Sequence, residues 1–250
     1  MYSDTPIPQQ VRAIIELNNQ GASSIENGNY DHALHELTIA LKTLKQSTSS
    51  FDIEDGEQTE VEEIEDVDSG SSLDSLMLAK TAAREFGDIK AEDDEGDSGD
   101  CSSFVYRHPI HIPTSLSEYE AKFITISTVI VFNLALASHL SGMRKVDNYK
   151  GTLRKAARLY EYGFELQRAQ RRSGSIALFL TATINNLGVV HQQLEDDEMA
   201  CKCFGQLLST LMYLTDCQGS GSRDFIEFGG FFRNASILIF PKRAGAAPAA

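Results

Sequence analysis

The chain lacks most features that mark secreted, nucleic-acid-binding or enzymatic proteins. Its four cysteines, Cys101, Cys201, Cys203 and Cys217, are too few and too irregularly spaced for a disulfide framework. A reducing intracellular compartment is therefore favoured. The N-terminus has neither the basic start nor the apolar run of a signal peptide. We expect a cytoplasmic or nuclear protein.

Sequence motifs of catalysis and metal binding are also missing. We find no glycine-rich phosphate loop, nucleophile elbow or zinc-binding helix motif. Cys201 and Cys203 are two apart on a predicted helix and should point to different faces, whereas His108 and His111 belong to a proline-containing stretch. The acidic run 195–198 spans a predicted turn and helix start, where carboxylates are favoured electrostatically. We expect no enzyme, no cofactor and no metal.

The net charge of −14 comes from one segment. Residues 49–100 contain 19 of the 36 acidic residues and only three of the 22 basic ones, so the rest of the chain is nearly neutral. Nucleic-acid binding needs clustered Lys and Arg, which this distribution does not offer. The segment has too little apolar surface to offset its chain entropy and should be disordered. It could recruit a basic partner or shield a binding surface of the same chain.

The most apolar stretch, Phe123–Leu140, is interrupted by Asn133, His139 and several Ser and Thr residues. It is barely long enough to cross a bilayer and is not uniformly apolar. We interpret it as a buried core helix and expect no membrane association.

Apolar residues at helical spacing, broken at Glu26–Asn29, predict a helix hairpin over 9–46. Gly28-Asn29 supplies a turn that tolerates left-handed backbone. Later parts of the chain repeat this organisation. The predicted units are 9–47 (first hairpin), 48–103 (disordered acidic insert), 104–114 (extended strap), 115–170 (second hairpin with a long loop), 175–216 (third hairpin) and 217–250 (capping helix and frayed tail). We expect helices to begin near Ser115 and Thr152, and the capping helix to begin after Gly229-Gly230. Its apolar stripe consists of Phe231, Ala235 and Leu238, with Phe232 and Ile239 beside them.

Self-comparison of the sequence shows a repeat. The stretches 18–21 and 185–188 are Asn-Asn-Gln-Gly and Asn-Asn-Leu-Gly, and each glycine is followed twelve residues later by Ala33 or Ala200. Four residues further on come Leu37 and Phe204. A looser copy begins at 132–135, Phe-Asn-Leu-Ala, and continues after a longer loop with Ala156, Tyr160 and Gly163. The three copies lie at about 14–47, 128–170 and 181–214.

This pattern resembles the tetratricopeptide repeat, particularly the kinesin-light-chain style of that family. The chain departs from the family pattern in having no tryptophan, with Leu17 and Ile184 at the corresponding positions, and in lacking the proline that ends each repeat. The resemblance covers about half of the chain. It implies an all-α, right-handed superhelical solenoid of about three hairpins, closed by a capping helix and interrupted by the acidic loop. Gly21 and Gly188 should let neighbouring helices approach closely.

The resemblance also implies a binding surface. Asn19, Asn133 and Asn186 occupy one equivalent position of the three copies, which in this family lines a groove for an extended peptide or a helix of a partner protein. An amide suits that role because it offers both a donor and an acceptor. The weaker neighbours are Asn18, Asn185, His139, Gln192 and Gln193. Alternatively, these asparagines cap or bridge helices inside the protein. The sequence leaves the partner and the oligomeric state open.

Overall fold

The computed structural model describes residues 8–51, 103–113, 123–144, 149–169, 177–218 and 229–236. These parts contain seven helices and no strand, so the all-α prediction is confirmed for them. The helices are α1 (Gln9–Glu26), α2 (Tyr30–Phe51), α3 (Phe123–Arg144), α4 (Tyr149–Ala169), α5 (Ala177–Gln193), α6 (Asp197–Gln218) and α7 (Gly229–Ala235). Residues 103–113 contain no regular secondary structure and correspond to the predicted strap; we use that name for them below.

Some predictions lie outside the described residues. They are the disorder of the acidic segment over 52–100, the helix start near Ser115, the cap positions Leu238 and Ile239, and the frayed tail. The described boundaries differ from the predictions in three places. Helix α2 continues to Phe51, four residues past the expected end, and α4 begins at Tyr149 rather than near Thr152. Helix α7 begins at Gly229, so Gly229 and Gly230 form its first turn instead of preceding it.

Helices α1 and α2 form the predicted hairpin. Their shared turn contains Gly28 at a φ of +72°, the left-handed conformation that the sequence indicated. Arg144, at the end of α3, donates a hydrogen bond of 3.0 Å from Nη1 to the Gly28 carbonyl and lies over the Tyr30 ring at 4.6 Å. The first turn is therefore attached to the second hairpin by a side chain as well as by core packing.

Another described turn, between α5 and α6, also contains a left-handed residue. Glu195 takes a φ of +63°, and the Asp196 carboxylate accepts a 3.2 Å hydrogen bond from the backbone N–H of Met199. Asp196 is thus the N-cap of α6. Glu195 and Glu198 form ion pairs with Lys150 (3.1 Å) and Lys202 (2.7 Å). This arrangement confirms the interpretation of the acidic run as a turn and helix start.

Close packing within the hairpins explains why small residues recur at equivalent positions of the repeat. A Cβ placed on Gly21 would lie 2.5 Å from Leu37 Cγ, and one on Gly188 would lie 2.6 Å from Phe204 Cε1. These are the same two pairs that the repeat alignment made equivalent, so the predicted close approach is confirmed. At Gly163 a Cβ would meet only Val131 at 3.5 Å, an ordinary contact, and glycine is not required there.

The helices contact one another largely in chain order. Helix α1 packs on α2, α3 on α4, and α5 on α6, while α2 contacts α3, α4 contacts α5 and α6 contacts α7. Alternate helices also meet, α1 with α3 and α5 with α7, and the Phe132 and Phe179 rings join α3 to α5 at 5.0 Å. The first hairpin therefore packs on the later ones, despite the long insert between them.

Helix α3 lies at the centre of this arrangement. Its segment Thr125–Arg144 is long and apolar enough to span a membrane, but 89% of that window is buried inside the protein. An apolar helix without a polar face is what a surrounded core position requires. The prediction of a buried core helix agrees with this packing.

Candidate functional site

The strap crosses four helices at one face of the protein. Going from its N-terminal to its C-terminal end, its backbone bonds to α7, α5, α3 and α1. Packed helices lie about 8–10 Å apart, so this path requires about 24–30 Å. Nine residues in an α-helix would cover only about 13 Å, whereas nine extended residues cover about 30 Å. The strap is therefore extended and runs opposite to the order of the helices.

Four asparagines hold the strap by its backbone. In each case the amide Oδ1 accepts a hydrogen bond from the N–H of one strap residue, and Nδ2 donates to the carbonyl of that same residue. The pairs, with the Oδ1 and Nδ2 distances in that order, are Asn234 with Phe104 (2.9 and 2.7 Å), Asn186 with Tyr106 (2.9 and 2.9 Å), Asn133 with Ile110 (2.8 and 2.8 Å) and Asn19 with Ile112 (2.7 and 2.7 Å). We call this surface the asparagine groove.

The register of these bonds follows from the geometry of an extended chain. Both polar groups of one residue face the same edge of the chain, and every second residue faces that edge. All four clamped residues, Phe104, Tyr106, Ile110 and Ile112, are separated by even numbers of positions. Each asparagine amide thus takes the place of a neighbouring β-strand, as in recognition by strand addition.

The groove contains the same three-asparagine arrangement twice. Asn18, Asn19 and Asn133 form the N-terminal module, and Asn185, Asn186 and Asn234 form the C-terminal module. Within each module one asparagine bridges the other two. Asn18 Nδ2 donates to Asn19 Oδ1 at 3.2 Å, and Asn18 Oδ1 accepts from Asn133 Nδ2 at 3.0 Å. Asn185 makes the equivalent bonds to Asn186 Oδ1 (3.1 Å) and Asn234 Nδ2 (2.7 Å).

The bridging asparagines also contact the strap. Asn18 Nδ2 donates to the Ile110 carbonyl at 3.1 Å, and Asn185 Nδ2 donates to the Phe104 carbonyl at 3.0 Å. Five of the six asparagines are fully buried, and Asn19 is half-buried. A buried amide without partners is costly, so this connected network satisfies the groups that burial removes from water.

The C-terminal module holds aromatic side chains. The Tyr106 ring stacks on Phe231 of α7 at 5.9 Å and lies 6.4 Å from Phe132 of α3. Phe104 meets the Phe231 ring edge-on at 5.3 Å. A Cβ on Gly230 would lie 2.5 Å from the Phe104 ring. Glycine at the start of α7 therefore makes room for an aromatic residue at the first clamped position.

The N-terminal module holds aliphatic side chains. Ile110 and Ile112 are both buried in the hydrophobic core. Between them, His111 faces outward, and its Nε2 lies 3.1 Å from the Glu26 carboxylate of α1. The two modules thus share one backbone chemistry but enclose different side chains.

The remaining predicted site residues lie beside the groove or beneath it. Gln192 accepts a hydrogen bond from the Ser103 hydroxyl of the strap. His139 is fully buried, and its Nε2 lies 3.1 Å from the Gln193 side-chain oxygen, with its ring edge-on to Tyr160 at 6.1 Å. His139 and Gln193 therefore bond to each other, and the contacts of the strap described above do not involve them.

Burial dominates the electrostatics of this region. It lowers the pKa of His139 to about 4, with a smaller contribution from the positive charge of Arg107 and an opposing one from the Gln193 hydrogen bond. The ring is neutral at pH 7, so Nε2–H donates to Gln193. Burial also raises the pKa of the Tyr160 phenol, whose oxygen accepts a 3.1 Å hydrogen bond from Asn186 Nδ2. The groove is formed by neutral groups.

The cysteine pair behaves as its spacing indicates. Cys201 is exposed and Cys203 is buried, so the two thiols lie on different faces of α6. Burial raises the pKa of Cys203 to about 11, and the nearby carboxylates of Glu161 and Asp196 add to this shift. Within the described ranges, no group of three or more His, Cys, Asp or Glu side chains is placed to hold a metal ion.

Sequence reasoning missed Asn234. The repeat comparison ended at residue 214, and the stripe assigned to the capping helix consisted only of apolar residues. A signal was nevertheless present, because an asparagine followed two residues later by a small residue occurs at Asn19-Gly21, Asn133-Ala135 and Asn186-Gly188. The same spacing recurs at Asn234-Ser236.

The structure adds a contact that the sequence did not predict. The family resemblance implied that the three equivalent asparagines line a groove for an extended peptide or a helix of a partner, with internal capping or bridging as the alternative. In the structure the asparagines do bond an extended segment, but that segment is the chain's own strap. The physical reason is that the strap carries apolar residues that belong to the core, so its docking buries Tyr106, Ile110 and Ile112 together with the amides.

Comparison with known proteins adds no relative. No protein-family model matches the chain, and searches of the curated proteins and of the solved structures give no match.

Proposed function

We propose that the protein is an interaction scaffold of tetratricopeptide-like helix pairs, arranged as a right-handed solenoid, whose asparagine groove binds an extended segment of another protein. The role is one of binding rather than catalysis, in the cytoplasm or the nucleus. The bidentate contacts between the four asparagines and the strap backbone carry this proposal. They use groups that every residue other than proline offers, so they suit segments of many sequences.

The strap and a partner segment would compete for the same amides. Because the strap is tethered, it acts at an effective concentration in the millimolar range. A segment from another chain must therefore bind tightly, or enter when the strap is weakened. This competition makes the proposal testable, since weakening the strap should increase the binding of a segment supplied in trans.

The test uses the full chain with the double change Tyr106→Ala and Ile110→Ala, which weakens the strap in both modules. A fluorescent peptide of residues 102–114 is titrated, and its anisotropy reports binding. We expect the peptide to bind the weakened chain at least about tenfold more tightly than the unaltered chain, because the competing strap is impaired. A scrambled peptide of the same composition is the control and should bind more weakly, because its apolar side chains no longer match the buried positions 106, 110 and 112.

Circular dichroism compares the weakened chain with the parent. If it loses helicity, the added peptide should restore helicity and raise the melting temperature, because a ligand that binds only the folded state stabilises it. A peptide that neither binds the folded variant nor restores an unfolded one contradicts the proposed function. Where binding is found, proteins captured by the weakened chain and released by excess peptide are its candidate partners.

A further inference from the structure

The groove places two equivalent clamps at a fixed distance along one extended chain. The C-terminal module clamps positions 104 and 106, and the N-terminal module clamps 110 and 112. Equivalent positions are therefore six residues apart. The helices that carry the asparagines set this offset, since α1 and α3 hold one module and α5 and α7 hold the other.

The spacer between the clamped pairs consists of Arg107, His108 and Pro109. Its three residues preserve the even spacing that turns all four clamped residues to the same edge. Adding one residue would turn the second pair to the opposite edge, because side chains and polar groups alternate along an extended chain. Arg107 is exposed, so its side chain contributes little to selectivity.

The backbone clamps do not distinguish sequences, but the side-chain environments do. Position 106 lies against the rings of Phe132 and Phe231, and position 104 fits against Gly230, where no other residue leaves room. Positions 110 and 112 are enclosed as isoleucines, 1% and 3% exposed. An aromatic pair therefore fits the C-terminal module and an aliphatic pair fits the N-terminal module.

The charges around the groove favour a basic residue at one position of the ligand and do not favour a chain terminus. Glu26 lies 3.1 Å from the side chain at position 111, which favours a basic residue there. The clamping groups are neutral amides, so the described groove does not use a charged clamp on a chain terminus. An internal segment of a partner fits this chemistry.

Val105, between the two aromatic residues, is also buried in the core, 7% exposed. From these contacts we infer that the groove selects partner segments of the form aromatic-aliphatic-aromatic, a three-residue spacer, and aliphatic-basic-aliphatic. This inference rests on the proposed function and specifies its ligand. The partner segment enters in the direction of the strap, with its aromatic pair on α5 and α7 and its aliphatic pair on α1 and α3. It makes the same four backbone clamps.

Variants of the 102–114 peptide test this inference on the strap-weakened full chain. Tyr106→Ala or Ile110→Ala in the peptide should weaken binding roughly 10- to 100-fold, because each removes a large buried side chain. Arg107→Ala should change it less than about threefold, as expected for an exposed position. A peptide with the two apolar pairs exchanged has the same composition as the parent and should bind at least about tenfold more weakly.

Register is tested with one inserted alanine. Placed between residues 107 and 108 of the peptide, it should weaken binding at least about tenfold, whereas the same alanine after residue 113 should have little effect. Gly230→Ala in the protein should weaken the parent peptide but leave the affinity of the Phe104→Ala peptide nearly unchanged. That difference distinguishes a lost ring site from a general loss of stability.

The outcomes separate the two proposals. If the parent peptide binds but the exchanged or inserted peptides bind equally well, the ligand pattern is wrong and the proposed function stands. If the parent peptide neither binds nor stabilises the weakened chain, the proposed function itself is contradicted.

Discussion

The two modules of the groove bind the strap backbone with identical polar groups, but the side chains around them differ. Each uses a bridging asparagine, a second asparagine on the same helix and a third from two helices later, and each clamps two strap residues. The C-terminal module is wholly buried and encloses aromatic rings, whereas the N-terminal module includes the half-buried Asn19 and encloses isoleucines. Amide geometry thus sets the path of the strap, and burial sets how much each bond contributes.

The largest expected effect is that of Asn186→Ala, which we compare with the equivalent change in the other module, Asn19→Ala. Asn186→Ala removes bonds to the Tyr106 N–H and carbonyl, the Tyr160 hydroxyl and Asn185, all in a buried site. Unpaired buried polar groups cost about 1–3 kcal/mol each, so we expect a loss of about 3–5 kcal/mol. Asn19→Ala should cost only about 1 kcal/mol, because water can reach the released groups. Urea denaturation measures both, and equal losses would contradict the role assigned to burial.

The second prediction concerns His139, which is buried beneath the groove. Its pKa is lowered to about 4 in the folded protein, against about 6.5 in an unfolded chain. Protonation below pH 6.5 therefore favours the unfolded state, and stability falls as pH decreases toward 4. The loss from this group approaches about 3 kcal/mol and is absent above pH 7.

The control for this pH dependence is His139→Gln, which cannot titrate. The difference in the free energy of unfolding between His139→Gln and the parent should change with pH between 6.5 and 4, while acidic groups common to both proteins cancel. A difference that stays constant over this range would show that the buried imidazole does not control the acid response.

The third prediction tests the aromatic site of the C-terminal module by comparing two adjacent glycines of α7. Gly230→Ala forces a Cβ to within 2.5 Å of the Phe104 ring, and we expect a loss of about 1–3 kcal/mol from overpacking. At Gly229 a new Cβ meets nothing within 4 Å, so Gly229→Ala is the matched control, with a change under about 1 kcal/mol. Thermal unfolding measures both. If Gly229→Ala destabilised the protein as much as Gly230→Ala, the loss would come from the start of the helix and not from the aromatic site.

Sequence reasoning found one side of the groove and not the contact itself. The hairpins and the three equivalent asparagines followed from apolar spacing and from the recurring Asn-x-small pattern, and the prolines of the strap predicted an extended segment. The docking of strap on groove joins residues about 90 positions apart, such as Asn18 and Ile110. On the strap side the bonds use backbone groups, which leave no trace in residue identity.

The end of α2 was also missed, because it depends on hydrogen bonds that residue types alone do not reveal. Helix α2 continues through a run of Ser and Thr that composition alone would assign to a loop. One turn before this run Thr43 donates to the Ile39 carbonyl at 3.0 Å, and at its first residue Ser47 donates to the Thr43 carbonyl at 2.8 Å. Hydroxyls bonded to the preceding turn are tolerated in a helix, and propensity does not reveal whether they will do so.

The smallest expected effect concerns a charged contact between the strap and α1, that of His111 with Glu26. Glu26→Gln keeps an acceptor near the imidazole but removes the negative charge. A partly exposed pair contributes less than about 1 kcal/mol, so the change should be small and smaller still at high salt. The exposed Glu16→Gln on the same helix is the control, and urea denaturation at low and high salt is the measurement. If Glu26→Gln cost as much as Asn19→Ala, charge and not amide geometry would hold this end of the strap.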